Sequence, residues 1–202
     1  MKRLFCMLAV VTLVLGASFM ASAISIEGDA SYLIGLGQDK GQGFAVHGKA
    51  ELFNDIFADA AFSAISFKGA GDGEKGLSDT LFTVGGLYRV ANEEDLQIFV
   101  GGGYAMLTHK HSGEDDESGS GVFGKFGFKL IPADKLSLVA DVAYAPKFKL
   151  GAGSENLTTA RATISYEVLE NILVQGTIKH YRVSNSDVTS GILVGGGVSF
   201  TF

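Results

Sequence analysis

The run His180-Tyr181-Arg182-Val183-Ser184-Asn185 holds two residue types that nucleophilic hydrolysis needs. An imidazole within hydrogen-bond reach of a serine hydroxyl can take its proton, provided a third group orients the base. His180 and Ser184 share a parity, and Asp187 is the nearest acid that could act as that third group. A second group, residues 109–120, places His109 and His111 beside Glu114, Asp115, Asp116 and Glu117. Such oxygen ligands suit a divalent cation. Their spacing matches no defined ion-binding loop, and a run of like charges ordinarily forms a solvated segment. The runs Gly101-Gly102-Gly103 and Gly195-Gly196-Gly197 precede no helix, so they read as points of strand curvature rather than phosphate cradles. Asn156-Leu157-Thr158 has the form of a glycosylation sequon. None of these groups amounts to a catalytic, cofactor-binding or metal site, and the expectation is a non-enzymatic protein without a cofactor.

The elements that carry these residues alternate with a period of two, the mark of strands with two different faces. Ala160, Ala162, Ile164, Tyr166 and Val168 oppose Thr159, Arg161, Thr163, Ser165 and Glu167. Comparable alternation marks ten segments, beginning at Ile26 and Phe44 and continuing over 56–67, 79–90, 96–108, 121–130, 136–145, 157–168, 172–183 and 190–202. Their lengths suit strands tilted across a bilayer, which need about 9–11 residues. Short connections at 54–55, 91–95, 131–135 and 169–171 alternate with longer ones at 68–78, 109–120 and 146–156, as periplasmic turns alternate with outer loops. Loops 38–42 and 184–189 are short for the outer side. The fold class predicted is all-β, a closed antiparallel transmembrane β-barrel of ten strands, with eight as the alternative.

The remaining composition agrees with an exported barrel. Lys2 and Arg3, an apolar stretch from Leu4 to Leu15 and the small-residue step Ala21-Ser22-Ala23 predict a cleaved signal peptide over 1–23, leaving a single barrel domain over 24–202. The only cysteine, Cys6, lies within that leader, so the mature chain has no thiol chemistry and no disulfide. Loss of Lys2 and Arg3 leaves 14 basic against 22 acidic residues, which argues against a nucleic-acid partner. Two prolines among 28 glycines fit a closed ladder in which nearly every N–H must donate. Pro132 is assigned to a turn and Pro146 to a strand end.

The register sorts the side chains. Tyr32, Tyr104 and Tyr144 fall on the outward face near the outer rim, and Tyr88 and Tyr166 on the same face near the periplasmic rim, where interfacial girdles lie. The inward charges are Glu27, Asp29, Glu51, Asp59, Asp141 and Glu167 against Lys49, Arg89, Lys125, Lys129, Arg161 and Lys179. An unpaired ion in a narrow interior costs several kcal/mol, so six acids facing six bases predict mutual pairing. A selective pore would carry an excess of one sign. Leu87, Phe99 and Phe123 fill part of the lumen.

The layout resembles small outer-membrane β-barrel proteins, and the closing Gly197-Val198-Ser199-Phe200-Thr201-Phe202 resembles the C-terminal signal read by the barrel-insertion machinery. A finer resemblance is to YfaZ-like precursors, carried by Ala23-Ile24-Ser25-Ile26, Tyr144-Ala145-Pro146 and Val194-Gly195-Gly196-Gly197-Val198. It implies an outer-membrane location and carries over no site residue. His180 and Ser184 resemble the His-x-Ser-Asn site of outer-membrane lipid A deacylases, but at a spacing of four rather than two. Omptin proteases are also ten-stranded, with longer outer loops and rim acids not found here. The expected partners are outer-membrane lipid and lipopolysaccharide, together with the barrel-insertion machinery through the last strand. The sequence leaves the oligomeric state open. The function expected is a structural or surface-interaction barrel of the Gram-negative envelope, with a narrow ion or small-solute channel and a lipid A-modifying hydrolase as alternatives.

Overall fold

The computed structural model describes residues 25–36, 41–67, 77–111, 116–151, 153–184 and 191–202. The leader over 1–23 and Asp187 lie outside the described residues. Ten strands follow in order: β1 (Ile26–Leu36), β2 (Gly41–Phe53), β3 (Ile56–Phe67), β4 (Leu77–Asn92), β5 (Leu96–His111), β6 (Glu117–Ala133), β7 (Leu136–Leu150), β8 (Gly153–Leu169), β9 (Ile172–Val183) and β10 (Gly191–Thr201). Each pairs antiparallel with its sequence neighbours, and β10 returns to β1, so the sheet closes into a barrel without an edge. The closure reaches the last residue: Ile26 N–H donates to Phe202 C=O and Phe202 N–H to Ile26 C=O, both at 2.9 Å. Ten strands settle the count over the alternative of eight.

The two faces are those of a barrel immersed in lipid. Tyr32, Ile34, Val84, Val100, Val142, Ile164, Val174 and Ile178 point outward and are exposed. The five girdle tyrosines lie on this face as well, and Tyr181, the sixth, is buried inside.

At the end carrying the short turns, each of the four hairpins has a register shift just before its turn, at Glu51/Phe53, Arg89/Ala91, Leu130/Ala133 and Glu167/Leu169. Asp55, Lys135 and Asn171 occupy left-handed conformations there, with φ of 66°, 67° and 67°. A short turn ending in a left-handed residue and a bulge matches the right-handed twist of the strands it joins. Pro132 therefore sits in a bulge of β6 rather than in a turn, and Pro146 in a bulge of β7 (the Ala145/Phe148 shift) rather than at a strand end. Both corrections have one cause: an extra, unpaired residue is where a chain without an N–H can remain in a sheet.

The outer ends also differ from expectation. Residues 109–120 and 146–156 are mostly strand, since β5 and β6 remain paired out to His109 and Glu117, and β7 and β8 out to Leu150 and Gly153. Strands of 15–17 residues exceed the crossing length, so these hairpins stand above the bilayer, where charge on either face is tolerated. The β7 bulge resets the inward parity, so that Ala143 and Ala145 are followed inside by Phe148 and Leu150. Lys147, with φ 56°, directs its freed N–H to Asn156 Oδ1 at 3.4 Å, which gives the sequon asparagine a structural role.

Candidate functional site

Interior residues arrange themselves in layers along the barrel axis. In the middle layer six side chains form a closed loop of alternating sign. Asp29 on β1 lies 3.1 Å from His47 Nδ1 on β2, and His47 Nε2 lies 2.7 Å from Asp59 on β3. Asp59 accepts from Lys125 on β6 at 2.9 Å, and Lys125 also faces Asp141 on β7 at 3.8 Å. Asp141 accepts from Arg161 on β8 at 2.8 Å, and the guanidinium reaches on to Asp29 at 3.1 Å. His47 thus bridges Asp29 and Asp59 through both of its ring nitrogens. Three acids thus alternate with three basic side chains round the ring.

Two of these bridges cross strands that carry glycine at or beside this level. Between Asp59 and Lys125 stand β4 and β5, whose inward positions at this level are Gly85, Gly101 and Gly103. Between Arg161 and Asp29 stand β9 and β10, where the inward positions of β10 include Gly195 and Gly197. A Cβ on Gly103 would strike the Val84 carbonyl oxygen, and one on Gly197 that of Ala30. The glycine runs thus mark close backbone approach, as their strand setting suggests, and they also clear the way for the long side chains of the ring.

Toward the short-turn end, Glu27 accepts from Lys49 at 3.0 Å and from Lys129 at 2.9 Å. The Lys49 ammonium lies 4.3 Å from the Phe99 ring centroid, a cation–π distance. At the rim, Arg89 holds Asp55 at 2.8 Å and Glu51 at 3.5 Å. A cavity of ≈ 90 Å³ occupies this half of the lumen, reaching from Glu27 and Lys129 to the ring. Beside the ring, Ser31, Thr163, Gln175 and Thr177 bond to one another at 2.7–3.4 Å.

The outer half is different in kind. Leu33, Ile65, Phe67, Leu81, Leu107, Phe148, Leu150, Leu157, Val183 and Leu193 all point inward and pack as one apolar cluster with Phe123 and Tyr181. Gly119 and Gly121 leave room for Phe148, whose ring would meet a Cβ at either position at 2.6 and 3.0 Å. Among them lies a buried polar set: Asp79, 2% exposed, accepts from the Tyr181 hydroxyl and pairs with His109, 1% exposed.

The sequence-level sites fare unevenly. His109 is inside the barrel, not in a solvated loop. Lys110 and Asp116 form an exposed ion pair, residues 112–115 lie outside the described residues, and no group of three metal-ligating side chains occurs among the described residues. His180 and Ser184 are not brought together. Four residues along a strand span about 13 Å, and His180 Nδ1–H donates to the Gly191 carbonyl at 3.0 Å. Of the twelve inward charges, Glu27, Asp29, Glu51, Asp59 and Asp141 pair with Lys49, Arg89, Lys125, Lys129 and Arg161 as the balance predicts. Among the described residues Glu167 and Lys179 have no ion pair within 4.0 Å. His47, Asp79 and Tyr181 also point inward, on the same parity that places Lys49, Leu81 and Lys179 inside.

One solved structure supports this architecture, and two others align to it more loosely. The outer membrane protease OmpT from Escherichia coli shares the fold at a TM-score of 0.56 and 12% identity, over 91% of this chain and 98% of that one. The Ail protein of Yersinia pestis aligns at 0.47 and 12%, over 90% of this chain and 100% of that one. The Neisserial surface protein NspA aligns at 0.43 and 11%, over 89% and 97%. No curated protein matches the sequence. The family model described as the outer membrane protein beta-barrel domain matches residues 11–168, most of the chain. With the closed ten-strand barrel and its lipid-facing row, that match shows that this outer-membrane chain belongs to the outer membrane protein beta-barrel domain family.

Proposed function

We propose that the protein is a sealed, non-enzymatic barrel that serves as a structural or surface-interaction component of the Gram-negative envelope, close in kind to the YfaZ-like precursors. The observation that carries this reading is the apolar cluster across the outer half of the lumen. A path for ions needs polar lining or water along its whole length, and side chains such as Leu33, Leu107, Phe148 and Leu193 fill the space with none exposed. The reading as a non-enzyme rests on the separation of His180 from Ser184 and on the inaccessibility of the Asp79–His109 pair, which lies beneath apolar side chains where no substrate bond can reach it. Outer-membrane lipid and lipopolysaccharide remain the partners that the lipid-facing girdles suit. The insertion machinery is the partner that the β10 strand suits. Planar-bilayer recording of the refolded protein, with barrel closure verified by its gel shift, tests the reading. Silence is the expected result, and discrete reproducible conductance steps would replace it with the channel alternative.

A further inference from the structure

Among the described residues, Lys179 is the inward cation with no acid within 4.0 Å. It stands directly opposite Arg161 in the β8–β9 register, and like charges placed opposite each other destabilise a strand pair. Arg161 cannot share its carboxylates, because its fork is committed to Asp141 and Asp29. Each acid of the ring already faces two basic side chains, so Lys179 adds a cation with no carboxylate of its own to a confined space. It faces a cavity of ≈ 50 Å³ that lies between the ring and the apolar seal. Arg161, Lys125 and the hydroxyl-bearing Thr83, Thr159 and Thr177 line the same cavity. Asp29 and Asp141 line it as well, but Asp29 already faces His47 and Arg161, and Asp141 faces Arg161 and Lys125. Roughly 10–15 Å³ of such space is enough for one water, so this cavity admits a small ion with part of its hydration.

We propose that the cavity above the charged ring holds one small monovalent anion of chloride-like size, bound by the Lys179 ammonium and by threonine hydroxyls. The ion supplies the charge that Lys179 lacks and separates it from Arg161. The ligand class follows from the space: a phosphate or carboxylate ligand with its substituents would need the volume that Leu81 and Phe123 occupy.

The test refolds the full barrel in sodium chloride, sodium bromide or sodium gluconate at equal ionic strength, so that the ion is present as the barrel closes. Anything bound only by the folded state stabilises it by mass action. The folded gel band should survive to a temperature several degrees higher in chloride and bromide than in bulky gluconate, and Lys179→Met should abolish the difference. Crystals grown in bromide should show an anomalous peak in contact with Lys179 Nζ. Equal melting in the three salts, an anion effect that persists in Lys179→Met, or a cavity without bromide would overturn the proposal in favour of a neutral Lys179 and water. The wild-type comparison and the bromide map stand even if the variant does not fold. A conductance step would bear on the seal alone and leave the anion result to be read separately.

Discussion

Arg161 is the residue on which the interior depends most. It closes the ring by serving two acids, its cross-strand neighbour Asp141 at 2.8 Å and Asp29 on β1 at 3.1 Å. Removing it leaves Asp141 with Lys125 at 3.8 Å as its remaining cation. A buried carboxylate stripped of its partner costs about 3–5 kcal/mol, so Arg161→Met should lower the unfolding free energy by about that amount in urea titrations of the refolded barrel. Arg161→Lys should recover only part of the loss, because an ammonium is a point charge and cannot reproduce a two-sided fork. Lys129→Met should be milder than Arg161→Met in the same assay, since Glu27 keeps Lys49 at 3.0 Å.

At the level of single strands the faces make opposite demands. Ile164 lies on the lipid face and is 51% exposed there, so Ile164→Arg should cost about 2–4 kcal/mol. Its neighbour Thr163 has the inward parity, yet it is 8% exposed and bonds to Thr177 at 3.2 Å, a bond that an arginine there would break. The tolerant inward site is Ser137, which borders the larger cavity, and Ser137→Arg should unfold near the wild type in a side-by-side titration. Glycines divide in the same way. Gly103→Ala forces a Cβ against the Val84 carbonyl and should cost about 1–3 kcal/mol, whereas Gly48→Ala meets nothing within 4 Å and should be close to neutral. The ten strands, their faces and the tyrosine girdles are legible in the sequence because period two survives wherever one face is apolar and the other polar. It fades in the outer half, where Leu33 points in and Ile34 out, or Leu81 in and Phe82 out, and both faces are apolar. There the sequence gives no contrast to read, and the seal goes unnoticed. The ring is hidden for another reason: each member is visible as an inward charge, but which charge meets which depends on the stagger with which the barrel closes. The bulges at Pro132 and Pro146 are signalled by proline alone, which marks an unpaired position without saying on which side of a turn it lies.

For the whole barrel the question is where the block to passage resides, and the layers allow it to be located. The ring crosses the lumen at mid-height and the apolar cluster fills the space above it, so either could stop an ion. They would do so by different physics. A charged ring beside a cavity of ≈ 90 Å³ is polar and can hydrate or rearrange when one bridge is lost. The cluster excludes ions because its apolar side chains cannot replace their water and its Asp79, His109 and Tyr181 are already bonded to one another. Breaking the ring with Arg161→Met should therefore leave a folded barrel electrically silent. Trimming the seal instead, with Leu107→Ser and Phe148→Ser together, removes two fully buried side chains from the same lumen and puts hydroxyls in their place. That double variant should lose several kcal/mol of stability, so its closure must first be checked by gel shift. Among molecules that remain closed, planar-bilayer recordings should then show discrete steps absent from the wild type. Conductance in Arg161→Met and silence in the trimmed seal would invert the assignment and make the ring, not the apolar cluster, the barrier.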